Sequence, residues 1–583
     1  MQLRDGGKPR QRLSVWRLAA AAVWRYARSN DTARGFKMEK LLPQRYIAFA
    51  LCLSVFALSL ALSWDGEFYR WLAVISGALS FVGILDMAQK KKTLRRNFPV
   101  TAHIRTFFEY FRPMLRQYVV ESDYEEVPFS LVQRSIAYQR AKNVLDKRPF
   151  GTLLDVYATQ YEWINHSLAP AEIDSHDFRV AIGGPQCPHP YSASVFNISA
   201  MSFGSLSANA IRALNEGARR GGFYHDTGEG SISPYHRENG GDICWEIGSG
   251  YFGCRNPDGK FSEERFVENA NSPQVKMIEI KLSQGAKPGH GGVLPAAKVS
   301  KEISVTRGVP MGVDCVSPAA HSAFSTPLGL LEFVARLREK SGGKPTGFKL
   351  ALGHPWEWFG IAKAMEQSGI LPDFIVVDGG EGGTGAAPLE FTDHVGAPLR
   401  EALLLVHNTL VGLNLRNKVR IGASGKVITA FDLARTLALG ADWCNAARGF
   451  MFALGCIQSL NCHTDRCPTG VATQDPSRWK KLDVPDKSER VKMFHENTLK
   501  ALKELLAAAG LRHPEELGPE HVIRRVSSTE VRSLSALYPF VKPGELLTGH
   551  PDHNVFRIFW NVARADTFAP PRTVLELHHT KAR

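Results

Sequence analysis

Eight short β-rich runs, each stopping at Gly, Ser or a charged residue, recur through the middle of this 583-residue chain, at 195–201, 222–226, 277–282, 311–316, 346–350, 374–378, 419–421 and 443–446. Helical patterns such as 328–340 and 430–439 fill some of the gaps between them. Strand alternating with helix implies a parallel sheet joined by right-handed crossovers. Eight such repeats predict closure into a (β/α)8 TIM barrel, with an open doubly wound sheet as the rival architecture. In such barrels the chemistry sits at the C-terminal strand ends, where the Gly- and Lys-rich segments fall here. A chain this long is expected to hold more than one folded unit, and 44% hydrophobic with 22% charged residues describes an ordinary globular protein.

Two phosphate-loop motifs fail on context. Residues 380–385 satisfy G-x-G-x-x-G after the run 374–378, but Pro388 arrives where a dinucleotide fold needs a helix. Glu401, at the right distance for a ribose-binding acid, starts a helical pattern instead of ending a strand. Gly425-Lys426 is no P-loop, because Arg420 stands at the first Gly position and Val427 replaces the Ser or Thr. The better phosphate site joins the last two runs. Gly422, Ser424 and Gly425 follow the seventh, and Arg448 and Gly449 follow the eighth. Small residues there leave backbone N–H groups uncovered, and Arg448 supplies a counter-charge.

Cys456, Cys462 and Cys467 follow the last run with C-x5-C-x4-C spacing, closed by Pro468. Three thiolates on one loop suit an iron–sulfur cluster that lacks one iron corner, and with His463 they equally suit zinc. Cys187, Cys244, Cys254, Cys315 and Cys444 have no matching ligand spacing, and Cys52 lies in an apolar run.

The cysteine loop, ending CPTGVATQ at 467–474, closely resembles the cluster loop of the glutamate synthase large subunit. Four upstream segments resemble that family in the same order: SAMSFGSLS at 199–207, GEG at 228–230, IKLSQGAKPG at 280–289 and DGGEGGTGAAP at 378–388. The resemblance covers roughly residues 150 to 510. It implies an FMN-binding oxidoreductase acting on CH–NH2 donors, with a 3Fe–4S cluster on Cys456, Cys462 and Cys467. The flavin would meet Met201, Ser202 and Gly204 after the first run, Lys281 and Gln284 after the third, Lys349 after the fifth, and Gly380. A cation at the flavin N1–O2 edge favours the reduced anion, a task the resemblance offers to Lys281 or Lys349. Glu229, Lys287 and Arg307 match positions around the 2-oxoglutarate site, where two cations suit two carboxylates. The implied reaction is reductive amination: ammonia adds to the keto carbon, water leaves, and the imine accepts hydride from reduced FMN, the cluster passing single electrons. Glu229 is the candidate for polarising or protonating the reacting nitrogen.

The chain departs from that family in several ways. It starts Met1-Gln2, without the N-terminal Cys of the family's glutaminase domain, so nitrogen is expected from free ammonia or from a partner's product. No nicotinamide site is visible, which leaves a ferredoxin, a reductase subunit or a membrane carrier as electron donor. His290 stands where the family's bacterial large subunit is expected to carry an acid. Two rivals follow: an FMN oxidoreductase for another amino or keto acid, and a membrane-bound flavin and Fe–S electron-transfer module.

The net charge of +14 is concentrated at one end. Residues 1–100 carry 17 Lys and Arg against 6 Asp and Glu, a surplus of 11, and the rest is nearly balanced with no basic stripe, which argues against nucleic acid. Residues 46–64 and 71–85 are uncharged runs, the first 19 residues long, against about 20 for a bilayer span. They predict a transmembrane hairpin, with a buried helical hairpin of a soluble protein as the alternative. Eleven Lys or Arg before it, and Lys90, Lys91, Lys92, Arg95 and Arg96 after it, place the catalytic part on the cytoplasmic side. The stretch 15–26 fits an amphipathic surface helix, a disordered tail, or a segment upstream of a true start at Met38. The expected organisation is a basic segment 1–45, a transmembrane hairpin 46–88, a linker and pre-barrel region 89–193, an FMN barrel with its Fe–S loop 194–480, and a mainly helical C-terminal extension 481–583. In that extension Val491, Phe494, Thr498, Leu502, Leu505 and Ala509 share one helical face ended by Gly510.

Overall fold

A computed structural model of the chain describes residues 44–89, 92–125, 127–144, 146–548 and 551–572. The basic segment expected over 1–45, apart from its last two residues, lies outside them, as do Lys90, Lys91 and the end of the C-terminal extension. The chain divides into two compact units after Pro128.

In the first unit α1 (Ile47–Ala61) and α2 (Glu67–Ala88) form an antiparallel pair. The α2 face Ala73, Ser76, Ser80, Gly83 and Asp86 is buried, at the 3–4 residue spacing of a helical stripe. Small residues let the helices close: a Cβ at Gly83 would fall 2.2 Å from the Phe49 ring, and one at Gly77 2.8 Å from Phe56. Asp86 accepts from the Val100 N–H at 3.1 Å and pairs with His103 Nε2 at 2.9 Å. Large apolar side chains such as Leu51, Leu58, Trp71, Val74 and Phe81 face outward. Among the described residues one helix, α2 with 22 residues, is long and apolar enough to cross a bilayer. Of the uncharged run 46–64 only 15 residues are α-helical, roughly 22 Å at about 1.5 Å per residue, because it begins in a 3-10 turn and unwinds after Ala61.

The second unit contains a closed parallel barrel of eight strands in sequential order, β1 (Phe196–Ile198), β2 (His225–Asp226), β3 (Ile243–Ile247), β4 (Val275–Lys281), β5 (Thr346–Leu350), β6 (Phe374–Asp378), β7 (Arg420–Ser424) and β8 (Trp443–Ala446). Seven strands coincide with expected runs. The run 311–316 does not: only Cys315–Val316 is extended, and it pairs antiparallel with Val293–Leu294 outside the barrel. Its place is taken by β3, so Lys281 ends the fourth strand and not the third. The barrel wall is dry. Trp245, Phe348, Phe374, Ile375, Val377 and Ile421 are at most 1% exposed. Gly422, expected at the phosphate, lies inside β7, where a Cβ would come 2.5 Å from the Trp443 indole.

Beyond β8 the helix Val484–Ala508 packs on Ala208–Gly221, and Gly217 lets Val491 approach. Val491, Phe494, Thr498 and Leu502 are buried as expected, whereas Leu505 and Ala509 are half-buried and Leu506 takes the core position. The extension also supplies two strands, Val522–Arg525 and Val531–Ser533, which form a three-stranded sheet with Glu162–Ile164.

Candidate functional site

Two adjoining cavities, of about 140 and 70 Å3, open at the C-terminal ends of the barrel strands. The larger is lined by Met201 and Ser202 after β1, Glu229 after β2, Lys281 at the end of β4, and Lys287 and Arg307 from the long β4–β5 excursion. Arg448 and Gln284 border both cavities, and Lys349, Ser424, Gly425 and Gly449 line the smaller. The residues expected to meet flavin and substrate thus converge, with three exceptions. Gly422 is in the wall. Gly380 lies off both cavities, its N–H bonded to Ala397 O at 2.8 Å. Gly204 lies behind the lining, with φ +106 and Leu294 and Arg307 where a side chain would go.

Glu229 occupies a niche made by glycines. A Cβ at Gly292 would fall 1.8 Å from its Oε1, and one at Gly248 3.0 Å from its Oε2. Lys281 Nζ donates to Glu229 Oε2 at 2.9 Å. Burial raises the carboxyl, but Lys281, with Arg307 and Lys287 behind it, outweighs that effect and brings it down to about 2. Glu229 is therefore an ionised acceptor. In that state it accepts hydrogen bonds and holds no proton at neutral pH.

Pairing also changes the cation assignment. Lys281 is matched by Glu229, and Lys349, 3% exposed, is matched by Glu246 and lies 3.5 Å from Glu279. Neither offers uncompensated charge. Three other cations do. Arg307 donates to Ser202 Oγ at 3.2 Å and Phe203 O at 3.0 Å, its buried Nε has no hydrogen-bond partner, and no carboxylate pairs with it among the described residues. Lys287 donates to Ala386 O at 3.1 Å, and burial lowers its ammonium. Arg448 lies over the Phe129 ring and against Gly383, where a Cβ would be 0.9 Å from its guanidinium; among the described residues no carboxylate or carbonyl accepts from it. This cavity suits a molecule with more than one anionic group.

The cysteine loop borders the same space. Cys462 lines the larger cavity, and the three thiols lie close enough to influence one another electrostatically, beside Arg448 and Lys298. Gln458 N–H points at Cys456 Sγ at 3.5 Å, and Cys467 accepts from backbone N–H groups of Ala472, Thr469 and Val471. Burial raises the Cys467 thiol, but the Thr469 hydroxyl and those amides prevail and bring it below its usual range. A single tetrahedral zinc would hold its sulfurs roughly 3.8 Å apart at a Zn–S distance of about 2.3 Å. Among the described residues the one group of three ligands within 4.8 Å of one another is Asp226, Cys244 and Glu279, and His463 is exposed. Gln474 Nε2 ties the loop to the β1 end through Gly204 O and Leu206 O, at 3.0 and 2.9 Å.

Three neighbours escaped the sequence reading. Glu246 lines the cavity from β3, a strand the pattern missed. Phe129 lies far away in sequence. Lys298 is buried with its ammonium on Ser205 O and Ala472 O, and its Ala-Ala-Lys setting carries no motif. Glu381, inside the G-x-G-x-x-G stretch, accepts from Leu399 N–H at 2.9 Å and caps a helix, a structural use that agrees with rejecting a dinucleotide site.

A family profile, the conserved region in glutamate synthase, matches residues 174–512. The glutamate synthase large subunit-like protein YerD of Bacillus subtilis (strain 168) is 37% identical over 499 residues, 79% of this chain and 94% of that protein. An archaeal glutamate synthase [NADPH] of Methanocaldococcus jannaschii is 37% identical over 321 residues, 55% of this chain and 60% of that protein, so the chain spans less than two thirds of that relative. Among solved structures, the flavin-binding domain of baker's yeast flavocytochrome b2 is similar at 14% identity and a TM-score of 0.38, over 73% of this chain and 85% of that one, a likeness too slight to carry an argument.

Proposed function

The chain belongs to the glutamate synthase family, and from that premise we propose that it is an FMN-dependent oxidoreductase that reductively aminates 2-oxoglutarate to L-glutamate. One observation carries the reading: Lys287 and Arg307, which form no carboxylate pair among the described residues, share a cavity with the ionised Glu229 and its Lys281. Arg307 and Lys287 bind the two carboxylates of the substrate, Arg307 with a donor left free at Nε. Glu229 accepts from an ammonia N–H and aims its lone pair at the keto carbon, and Lys281 keeps Glu229 ionised.

The residues present suit the two cofactors. Arg448, without an acceptor of its own, faces Ser424 and Gly425 and would hold the FMN phosphate, with Gln284 and the β1 end along the ring. Cys456, Cys462 and Cys467 would hold an iron–sulfur cluster, supported by their amide donors and by Lys298. When bound, FMN supplies hydride transfer and the cluster single electrons. The electrons come from an external donor: a ferredoxin, a reductase subunit or a membrane carrier. The first unit anchors the enzyme in a bilayer through α2 and the shorter α1, with the barrel on the cytoplasmic side. The apolar outer faces of both helices and the flanking basic residues support that placement.

The test uses the full chain in detergent, reduced anaerobically with its flavin in place. Adding 2-oxoglutarate and ammonium is expected to reoxidise the flavin with stoichiometric glutamate. A reduced flavin that stays reduced would move the assignment to another keto acid or to electron transfer.

A further inference from the structure

Below the cavity floor, three carboxyls share one ammonium. Glu246 on β3 and Glu279 on β4 are direct register partners, and both carboxyls meet at Lys349 Nζ. Lys349 Nζ on β5 bonds Glu246 Oε2 and lies 3.5 Å from Glu279 Oε1, an oxygen that receives no hydrogen bond. Asp226 on β2 completes the set: its carboxyl, Cys244 Sγ and the Glu279 carboxyl lie within 4.8 Å of one another. Asp226, Glu246 and Glu279 are each 1% exposed.

The other groups facing the set do not balance it. Lys281 is bonded to Glu229. Tyr224 and Cys244 are held neutral by burial. The Asp378 carboxylate, near Lys349, accepts from Ser424 Oγ and Gly285 N–H. Three carboxylates against one ammonium would leave two uncompensated negative charges in a dry interior, so the set holds protons at neutral pH. Burial followed by Glu246 brings Asp226 up to about 7, and burial with Asp226 and Glu246 keeps Glu279 well above the carboxylate range. Glu246 alone of the three also lines the cavity.

We propose that Asp226, Glu246 and Glu279, gathered around Lys349, form a buried proton store that discharges into the catalytic cavity through Glu246. The inference rests on the amination reading and deepens it. Converting 2-oxoglutarate and ammonium to glutamate and water takes up two electrons and two protons. One proton travels with the electron pair as hydride, and the other must reach the new amine. In that transfer the Glu279 O–H bond breaks, the Glu246 carboxylate takes the proton and hands it on, the amine N–H bond forms, and Glu246 remains the carboxylate paired with Lys349. Asp226 and Glu279 act through Glu246, and the store recharges from solvent. Glu229, ionised beside the same cavity, cannot supply this proton.

Infrared difference spectra of the full-chain holoenzyme in detergent, reduced chemically without substrate, test the store independently of the substrate. A protonated-carboxyl stretch that shifts in D2O and changes on reduction is expected in the wild type, and its loss in Glu279→Gln. With 2-oxoglutarate and ammonium, Glu279→Gln is expected to lose roughly 100-fold in kcat with KM for 2-oxoglutarate unchanged and a displaced pH profile. Asp226→Asn serves as the second variant if Glu279→Gln does not fold, and the wild-type spectrum needs neither. Absence of a redox-sensitive carboxyl band overturns the proposal, as does wild-type kcat and pH profile in a folded variant, while glutamate formation would still uphold the synthase reading. A redox-sensitive band without glutamate formation supports the store and overturns the substrate assignment instead.

Discussion

Glu229 shows how a glycine can act through a neighbour. Gly292 leaves the space its Oε1 occupies, so Gly292→Ala is expected to push the carboxylate off Lys281. Glutamate formation should fall by at least tenfold, as for other displaced catalytic groups, with flavin content unchanged by absorbance. Arg448 makes the complementary case. It is a half-buried cation with no acceptor among the described residues, so Arg448→Met is expected to give protein that folds but purifies with little flavin, measured as the ratio of flavin to protein absorbance. The cavity positions of Glu229 and Lys287 were legible because both stand in segments that keep the family's order, whereas Arg307 lies outside every one of those segments. The neutralisation of Lys281 and Lys349 was not legible, because their acidic partners lie 52 and 103 residues away in sequence.

At the scale of elements, the barrel was legible in seven of its eight strands. The exception is instructive. β3 reads Ile-Cys-Trp-Glu-Ile, and its fourth residue, Glu246, is buried where sequence logic expects an apolar residue. Residues 311–316 offered a more conventional apolar run, yet Met311 and Val313 are exposed in the excursion outside the barrel. Gly422 likewise looked like a phosphate loop because it adjoins Ser424 and Gly425. Its glycine is demanded by Trp443, so Gly422→Ala is expected to lower stability by about 1–3 kcal/mol through overpacking, seen as a lower denaturant midpoint with flavin affinity little changed. The cysteine loop is contiguous in sequence, but its attachment to the β1 end through Gln474 is a tertiary contact between motifs 270 residues apart.

For the whole molecule, the buried acids set a pH dependence of stability. Asp226, brought up to about 7 from an ordinary 3.8, binds its proton more tightly folded than unfolded. Its contribution is full below about pH 4 and falls as pH rises through 7, with a slope of at most about 1.4 kcal/mol per unit. Glu229, brought down to about 2 from 4.5, acts oppositely: its contribution is present above 4.5 and is lost as pH falls through 2. Between pH 5 and 7 the wild type is therefore expected to lose stability while Asp226→Asn stays flatter, checked by denaturant midpoints at the two values. The sequence by itself determined the barrel class, the family, the ordered motifs and the apolar runs before residue 90, because periodicity and local composition are written along the chain. The tertiary structure decided which charges remain free at the site, which glycines serve packing, and how much of the first apolar run is helical. Those outcomes depend on burial and on partners brought together across strands, and no local stretch of sequence contains them.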